Sequence, residues 1–157
     1  MSRAFSDDRA LHVRPALPAD VPLLLPLMDD FNRSEGISWS AQTGEAPLRH
    51  LLGSPDLGRV GLCEQDGAAV GYFVLCFSFD LEWAGRDAFL TELYVHPQHR
   101  GRGLGRLLLQ HAQALAQACD VRALHLAVRP ENASALRVYR AAGFEDSGRV
   151  LYSKPLA

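Results

Sequence analysis

Residues 92–106 read ELYVHPQHRGRGLGR, and this stretch decides the fold. A β-rich run ends at Val95, and a loop in which three glycines alternate with three arginines leads directly into a long helical pattern. Glycine lets the backbone approach an anion closely, and the unpaired N–H groups of a first helical turn point toward that anion. Arginine side chains add charge-assisted hydrogen bonds. The stretch therefore predicts a phosphate cradle made of Arg100, Gly101, Arg102, Gly103, Leu104, Gly105 and Arg106.

Two familiar phosphate loops do not match this cradle. The Walker pattern G-x-x-x-x-G-K-[ST] is absent from the sequence. The dinucleotide pattern G-x-G-x-x-G fails because Gly101 and Gly103 are followed at the required position by Arg106. These mismatches disfavour a nucleotide-binding regulator. A glycine-rich turn that serves only a tight strand-to-helix connection stays open as the simpler alternative.

Downstream of the cradle, the periodicity predicts two helices and one more strand. Apolar residues recur every three or four positions over Leu104–Cys119, which indicates an amphipathic helix. Val121–Val128 predicts a strand and Asn132–Ala142 a second helix, which stops at Gly143. With the strand that ends at Val95, these elements form a βαβα unit whose two strands lie side by side in parallel.

Antiparallel hairpins are predicted on both sides of the cradle. Arg59–Glu64 and Ala69–Phe79 are β-rich runs, and the Asp-Gly pair within residues 65–68 is a strong hairpin signal between them. Asp87–Val95 predicts the third strand. The tail, Glu145–Leu156, predicts a further hairpin or edge strand, and an unpaired edge there would allow a homodimer to form.

The N-terminal third predicts a strand followed by short helices. Leu11–Arg14 alternates as a strand does, and Asp20 stands where a helix N-cap would. Pro26 lacks a backbone donor, so it should kink or end the helix that follows. Residues 32–43 are polar and irregular, which indicates a mobile loop. A short helix is expected over Glu45–Leu52.

Composition excludes several classes of protein. The 157 residues are 48% hydrophobic with net charge −2, which predicts one domain over residues 1–157. The longest apolar stretches are far shorter than the ~18 residues that span a membrane, and no secretory signal is recognised. Three widely spaced cysteines favour free thiols in a cytoplasmic protein, with neither a disulfide framework nor a metal site. A pI of about 6.3 argues against nucleic acid as a partner.

Two ordered motifs carry a family resemblance over about residues 58–145. Arg100-x-x-Gly103-x-Gly105, following a Glu-x-x-Val strand, resembles the pyrophosphate loop of the GNAT superfamily of N-acetyltransferases. The stretch NASALRVYRAAGF, residues 132–144, is similar to the second signature of that superfamily, with an Asn at the helix start and a Tyr before Gly-Phe. The resemblance implies an α/β fold with a mixed, mainly antiparallel central sheet flanked by helices. It also implies that the βαβα unit of this fold binds acetyl-CoA.

The resemblance also implies roles for individual residues. The pantetheine arm of acetyl-CoA would lie beside Leu93, Tyr94 and Val95, where this strand and the next splay apart. Glu92 is expected to act as general base, because an ammonium group must lose a proton before it attacks a thioester. The Val95 N–H is expected to stabilise the developing oxyanion, and Tyr139 to protonate the leaving thiolate. Asn132 shares a helix face with Tyr139 and would contact the pantetheine arm.

Each of these residues also has a purely structural interpretation. Glu92 could face solvent on an alternating strand, and Asn132 could serve only as an N-cap. The Tyr139 ring could do no more than pack against Phe144 at the helix stop. A cysteine nucleophile with a two-step mechanism also stays open, although Cys76 lies in an apolar run.

The acceptor is expected to be the primary amine of a small cationic substrate. The segment FSFDLEWAGR, residues 77–86, is similar to the corresponding stretch of diamine acetyltransferases. An acidic first half of the chain would attract a cation, and aromatic rings would add cation–π attraction. The matching strand carries one acid fewer than in polyamine enzymes, since it reads Leu-Thr-Glu at residues 90–92. The candidate substrate residues are Glu35, Trp39, Asp80, Glu82 and Trp83.

Three alternatives to this function remain at the level of sequence. The acceptor could be a lysine or N-terminus of a protein, bound in an open groove near residues 33–45. The chain could bind acyl-CoA as a sensor without turnover, although retention of both Glu92 and Tyr139 argues against that. The acidic and aromatic hairpin could also be an ordinary solvated turn with no acceptor role.

Overall fold

The computed structural model describes residues 11–157 and contains a five-stranded sheet in the order β1-β2-β3-β4-β5. The first four strands pair antiparallel, and β5 runs parallel to β4. This arrangement confirms the mixed, mainly antiparallel sheet that the resemblance implied. The strands are β1 (His12–Pro15), β2 (Gly58–Gln65), β3 (Ala68–Asp80), β4 (Gly85–Val95) and β5 (Ala123–His125).

Four α-helices accompany the sheet, with 3₁₀ turns at Pro18–Asp20 and Pro97–His99. None of the helices in residues 11–157 is long and apolar enough to cross a membrane. The helices are α1 (Val21–Ser34), α2 (Ala41–Leu52), α3 (Leu104–Ala118) and α4 (Ala133–Ala141).

The helices α1 and α2 cover one face of the sheet, and α3 packs on β3 and β4. Residues at every second position of a strand point to the same face, so β2, β3 and β4 each supply side chains to the α1–α2 core. That core includes Val21, Leu24, Leu27, Met28, Leu48, Val60, Leu62, Tyr72, Val74 and Tyr94. The buried residues of α3 are Leu104, Leu108, Leu109, Ala112 and Ala116.

Contacts group the chain into two units, one ending at His125 and one beginning at Leu126. The first unit contains the whole sheet with α1, α2 and α3, and the second contains α4. The expectation of a single domain over residues 1–157 stays a prediction.

The first long helix is not interrupted where the sequence predicted. Pro26 was expected to kink or end it, but α1 continues to Ser34. One proline removes one backbone hydrogen bond, and burial of the apolar side chains of α1 outweighs that loss. Asn32, expected in a mobile loop over residues 32–43, lies in the helix and donates from Nδ2 to the Met28 carbonyl at 2.8 Å. Only residues 35–40 separate α1 from α2. Helix α2 begins at Ala41, four residues before the predicted start at Glu45, and Ser40 is its N-cap.

Two predictions for the C-terminal region are wrong. The strand expected over Val121–Val128 is only the three residues of β5. The tail from Glu145 to Leu156 contains no strand. Both predictions relied on β-forming residue types, which need a neighbouring strand before they form a ladder. The edge strand on which the expected homodimer depended is therefore absent from the described tail.

Candidate active site

Glu92 faces the α1–α2 side of the sheet because of a β-bulge. In the pairing of β3 with β4, Val74 lies opposite Glu92 and Leu75 lies opposite Leu90, so Thr91 is an extra residue. A bulge bends its strand and changes the direction of the side chains that follow it. Residues directly opposite each other point to the same face, so Glu92 shares the face of Val74. The alternative of a solvent-facing Glu92 is therefore wrong.

The Glu92 side chain is partly buried, and one of its two carboxyl oxygens is enclosed. Its Oε2 atom is shielded from solvent and makes no hydrogen bond to any described residue, and the same is true of the Tyr72 hydroxyl. Burial raises the pKa of Glu92 above its ordinary value, and the neighbouring Tyr72 hydroxyl only moderates that rise. The two groups are thus close enough to interact without reaching hydrogen-bond geometry. A carboxylate with a raised pKa is a stronger base than an exposed one.

A cavity of about 320 Å³ opens beside this carboxyl. Strands β3 and β4 form one side of it, and α1, α2 and the turn before α2 form the others. Its size lies at the lower end of the range for small-molecule pockets, roughly 300 to 1,000 Å³. The lining residues are Met28, Trp39, Thr43, Gly44, Pro47, Leu48, Leu51, Val74 and Glu92.

The edge of β4 that faces away from β3 carries backbone N–H groups close to Glu92 in the chain. The His96 N–H bonds to the Val70 carbonyl of β3, at 2.8 Å, and successive N–H groups of a strand point to opposite edges. The Val95 N–H therefore points away from β3. Within residues 11–125, the pairing of β4 with β5 ends at Phe89 and His125, so the ladder does not reach Val95. The splay between β4 and the next strand, which the resemblance implied, stays a prediction.

The glycine-rich loop has the geometry of an anion cradle. Gly101 and Gly103 adopt φ values of +75° and +80°, a region that other residues rarely enter. Gly103 is the N-cap of α3 and supplies no side-chain cap, so the first N–H groups of the helix stay available. A Cβ placed on Gly101, Gly103 or Gly105 would meet nothing within 4 Å, so the space in front of the loop is open. These residues fit a pyrophosphate group.

The arginines of the cradle are not equivalent. Arg102 and Arg106 are exposed. The Arg100 side chain donates from Nε to the Val95 carbonyl at 2.8 Å and lies 5.5 Å from the centre of the Tyr94 ring. Arg100 therefore connects the loop to the edge of β4. The Tyr94 ring packs with Tyr72 in the α1–α2 core, which leaves only the Tyr94 backbone for the expected coenzyme contact.

In the second unit, Asn132 and Tyr139 both have structural roles. Asn132 caps α4, accepting from the Ala135 N–H at 3.2 Å. At the other end of α4, the Phe144 N–H donates to the Tyr139 carbonyl and the Gly143 N–H to the Arg140 carbonyl, both at 3.0 Å. The Tyr139 and Phe144 rings meet edge to face, 5.9 Å apart. This is the predicted Schellman stop, and the expected coenzyme contacts of Asn132 and Tyr139 stay predictions.

The predicted substrate residues do not all lie at the cavity. Trp39 lines it, and Glu35 follows α1 in the turn that leads to Trp39. Asp80, Glu82 and Trp83 lie at the far end of the β3–β4 hairpin, whose last pair joins Asp80 to Gly85. At about 3.3 Å per residue, that end is roughly 20 Å from Glu92.

Most of the residues that line the cavity were not predicted as site residues from the sequence. The missed residues Thr43, Gly44, Pro47 and Leu48 belong to α2, whose first turn was assigned to a loop. Ser40 followed by a helical apolar spacing was the signal that could have extended α2 to Ala41. Tyr72 was also missed, although the Asp-Gly hairpin fixes the register that brings β3 beside β4.

Comparisons with known proteins agree with this geometry. A family model described as Acetyltransferase (GNAT) family matches residues 24–144. The chain is 32% identical to thialysine N-epsilon-acetyltransferase of Bos taurus over 120 residues, which are 76% of this chain and 69% of that protein. An integron cassette protein from the mobile metagenome of Cole Harbour Salt Marsh is 37% identical, with a TM-score of 0.83 over 92% of this chain and 90% of that one.

A more distant structure shares the fold. An aminoglycoside N-acetyltransferase in complex with CoA is 20% identical, with a TM-score of 0.81 over 94% of this chain and 96% of that one. The family match covers both motifs, the glycine-rich loop and the Asn-to-Gly-Phe helix. The expectation of acetyl-CoA as co-substrate is thereby confirmed. The chain belongs to the GNAT acetyltransferase family and is an acetyl-CoA-dependent N-acetyltransferase.

Proposed function

We propose that the protein transfers an acetyl group directly from acetyl-CoA to the primary amine of a small molecule bound in the 320 Å³ cavity, with Glu92 as the general base. The single observation that carries this proposal is the Glu92 side chain in the wall of the cavity, on the same strand as the outward-directed Val95 N–H. A carboxyl whose pKa is raised by burial is suited to accept a proton from a group bound in that cavity. A substrate ammonium group is a donor of the required charge.

The residues around the cavity suit the chemistry of amine acetylation. Acetyl-CoA supplies the acetyl group as an activated thioester. Glu92 accepts a proton from the substrate ammonium, which frees the nitrogen lone pair for attack. The Val95 N–H, directed to the outer edge of the same strand, donates to the carbonyl oxygen as negative charge develops there. Because both groups belong to β4, the strand fixes the base and the donor relative to each other.

The cradle and the second unit have supporting roles in this proposal. Backbone N–H groups at the start of α3 bind the pyrophosphate, helped by the exposed Arg102 and Arg106. The Tyr139 hydroxyl donates a proton to the departing sulfur, and its ring keeps its packing against Phe144. Asn132 contacts the pantetheine arm while it caps α4.

Direct transfer is favoured over a cysteine-linked intermediate. None of the described residues that line the cavity is a cysteine. The fully buried Cys63 has its pKa raised to about 11 by burial, so it stays a thiol at neutral pH. A thiol is a poor nucleophile compared with a thiolate.

A small-molecule acceptor is favoured over a protein acceptor by the cavity. Residues 33–45, where a peptide groove would have to open, include the end of α1 and the first turns of α2 and supply Trp39 to the cavity wall. The name of the Bos taurus relative also refers to a small amine, thialysine. A non-catalytic sensor is disfavoured because it has no use for a partly buried carboxyl of raised pKa beside the cavity.

Glu92→Gln tests the proposal. The amide keeps the size of the side chain but cannot accept the proton, so kcat should fall by roughly 10² to 10⁴-fold. The control is Glu45→Gln, which removes an exposed carboxylate that pairs with Arg49 on α2. Turnover is followed as released thiol with a panel of small amines and peptides, and CoA affinity by calorimetry. Normal turnover in Glu92→Gln, or acetylation of peptides alone, would contradict the proposal.

A further inference from the structure

We infer that the acceptor is a monoamine carried on an uncharged, apolar body, such as an alkyl- or arylalkylamine, and that a diamine or polyamine is a poor substrate. This inference rests on the proposed function and deepens it. The cavity beside Glu92 combines one carboxyl with a wall that is otherwise almost entirely apolar.

The wall of the cavity provides a site for only one positive charge. Glu92 is the sole ionisable group among the described residues that line it, and the Thr43 hydroxyl is the one other polar side chain besides the Trp39 indole. The rest of the lining is aliphatic, with Leu48 and Val74 each 5% exposed. An amine nitrogen can therefore pair with Glu92, while the remainder of the substrate contacts hydrocarbon.

A second cation in this cavity would have no partner. An ammonium group held against an apolar wall loses hydration that no carboxylate there compensates, and an alkyl group in the same place loses nothing comparable. The carboxylates on the adjoining helices α1 and α2 form ion pairs with arginines outside the cavity. Asp29 and Asp30 pair with Arg33 on α1, and Glu45 pairs with Arg49 on α2. These three acids do not line the cavity.

The acids of the predicted substrate segment, residues 77–86, lie too far away to bind a second amine. Asp80 and Glu82 are at the tip of the β3–β4 hairpin, roughly 20 Å from Glu92 at about 3.3 Å per strand residue. An extended 1,5-diaminopentane is shorter than half that distance. The tip therefore cannot bind the distal amine of a short diamine whose reacting amine is at Glu92.

Trp39 and Gly44 together shape the apolar wall. The Trp39 ring lies directly on the Gly44 backbone, and a Cβ at Gly44 would fall inside that ring. Glycine is unfavourable inside a helix, so its presence in α2 has a packing reason here. Gly44 leaves the space that lets Trp39 close the cavity with an aromatic face.

The sharpest test is an isosteric pair of acceptors. Hexylamine and 1,5-diaminopentane have the same number of heavy atoms, and they differ in that a terminal methyl replaces an ammonium. For the wild-type protein with acetyl-CoA, we expect kcat/KM to be at least about 10-fold higher for hexylamine, since 1.4 kcal/mol corresponds to tenfold. Equal or higher kcat/KM for the diamine would overturn this inference and leave the proposed function intact. Acetylation of peptides alone would overturn both.

A charge-adding variant checks the physical cause. Leu51→Glu places a second carboxylate in the cavity wall, and Leu51→Gln is the matched uncharged control. Only the glutamate variant should shift the ratio of kcat/KM values toward 1,5-diaminopentane, by about 10-fold or more. An equal shift in both variants, or none in the glutamate variant, would overturn the inference.

Binding can be measured without turnover through Trp39. The chain has two tryptophans, so Trp83→Phe leaves Trp39 as the single indole. In the presence of CoA, hexylamine should change the Trp39 emission at concentrations where 1,5-diaminopentane does not. Gly44→Ala should weaken that response at least several-fold, because it displaces the ring. An emission that responds equally to both amines, or to neither, would overturn the inference.

Discussion

Two carboxyl groups, the buried Asp20 and the partly buried Glu92, have opposite environments. Asp20 accepts from both terminal nitrogens of Arg14, at 2.7 and 2.8 Å, and from the Leu17 N–H at 2.7 Å. The Arg14 side chain is the main reason that the pKa of Asp20 lies below its ordinary value. Glu92 has no such cation, its Oε2 has no hydrogen-bond partner among the described residues, and burial raises its pKa.

The contrast separates a structural carboxylate from the one that we propose as the base. Asp20 holds β1 against the start of α1, and a bidentate arginine keeps it charged and unreactive. Glu92 lies at a bulge beside a cavity, and its Oε2 accepts no hydrogen bond from the described residues. Natural proteins satisfy most buried polar groups, so the exception points to function.

Removing the cation from Asp20 should give the largest effect. Arg14→Met leaves a carboxylate that is 9% exposed with the Leu17 N–H as its main donor. We expect the free energy of unfolding to fall by about 2–3 kcal/mol, because an uncompensated buried charge remains. Denaturant unfolding at neutral pH measures this change.

Arg33→Met is the matched control for that experiment. Arg14 contacts two acids, Asp20 and Glu64. Arg33 likewise contacts Asp29 and Asp30, but its side chain is 71% exposed. Its loss should change stability by no more than about 0.5 kcal/mol, as for other surface ion pairs. Equal effects of the two substitutions would show that burial of Asp20 does not determine how much its ion pair contributes to the free energy of unfolding.

The dependence of stability on pH should have opposite signs at the two sites. The folded pKa of Glu92 lies above its ordinary 4.5, so the folded state holds a proton that the unfolded chain releases. Relative to Glu92→Gln, the wild type should therefore lose stability as pH rises from 4.5 through the folded pKa of Glu92. Thermal unfolding at a series of pH values measures this difference.

Asp20→Asn gives the reverse comparison. The folded pKa of Asp20 lies below its ordinary 3.8, so its stabilisation is complete above that value and is lost as pH falls through the folded pKa. The wild type should thus gain stability over Asp20→Asn as pH rises in the acid range. Parallel curves for the two pairs of proteins would refute the assigned environments.

Tyr72→Phe should give the smallest effect. The Tyr72 hydroxyl lowers the pKa of Glu92 slightly, so its removal should raise that pKa and move the pH profile of kcat/KM to higher pH. Stability should change by less than about 1 kcal/mol, because the hydroxyl is itself buried without a partner. A shift of the profile to lower pH would contradict the contact between Tyr72 and Glu92.

Sequence reasoning succeeded where short-range geometry decides the structure. The glycine-rich loop, the Asp66-Gly67 hairpin turn and the stop after Tyr139 each depend on residues that are close in the chain. A tight turn that needs positive φ admits few residue types other than glycine, asparagine and aspartate, so these residues predict the turn directly. Glycines just before a helix likewise predict where the helix begins. The role of Glu92 as the base came from the family resemblance and stays a prediction.

The cavity could not be predicted because it depends on contacts between distant segments. Trp39, Leu48 and Val74 meet only when α2 packs on β3. The position of Asp80 and Glu82 at the hairpin tip could not be predicted either, since sequence proximity to β4 does not give the distance from Glu92. The register of the β3–β4 pair, with its bulge at Thr91, supplied the missing information.

Direct titration of the Glu92 carboxyl tests the central claim. The measurement is ¹³C NMR of the side-chain carboxyl groups against pH, with the Glu92 signal assigned by its loss in Glu92→Gln and the Asp20 signal by its loss in Asp20→Asn. We predict that Glu92 titrates above 4.5 and Asp20 below 3.8. A Glu92 signal that titrates at or below 4.5 would contradict a base whose ionised form is disfavoured by partial burial at this site.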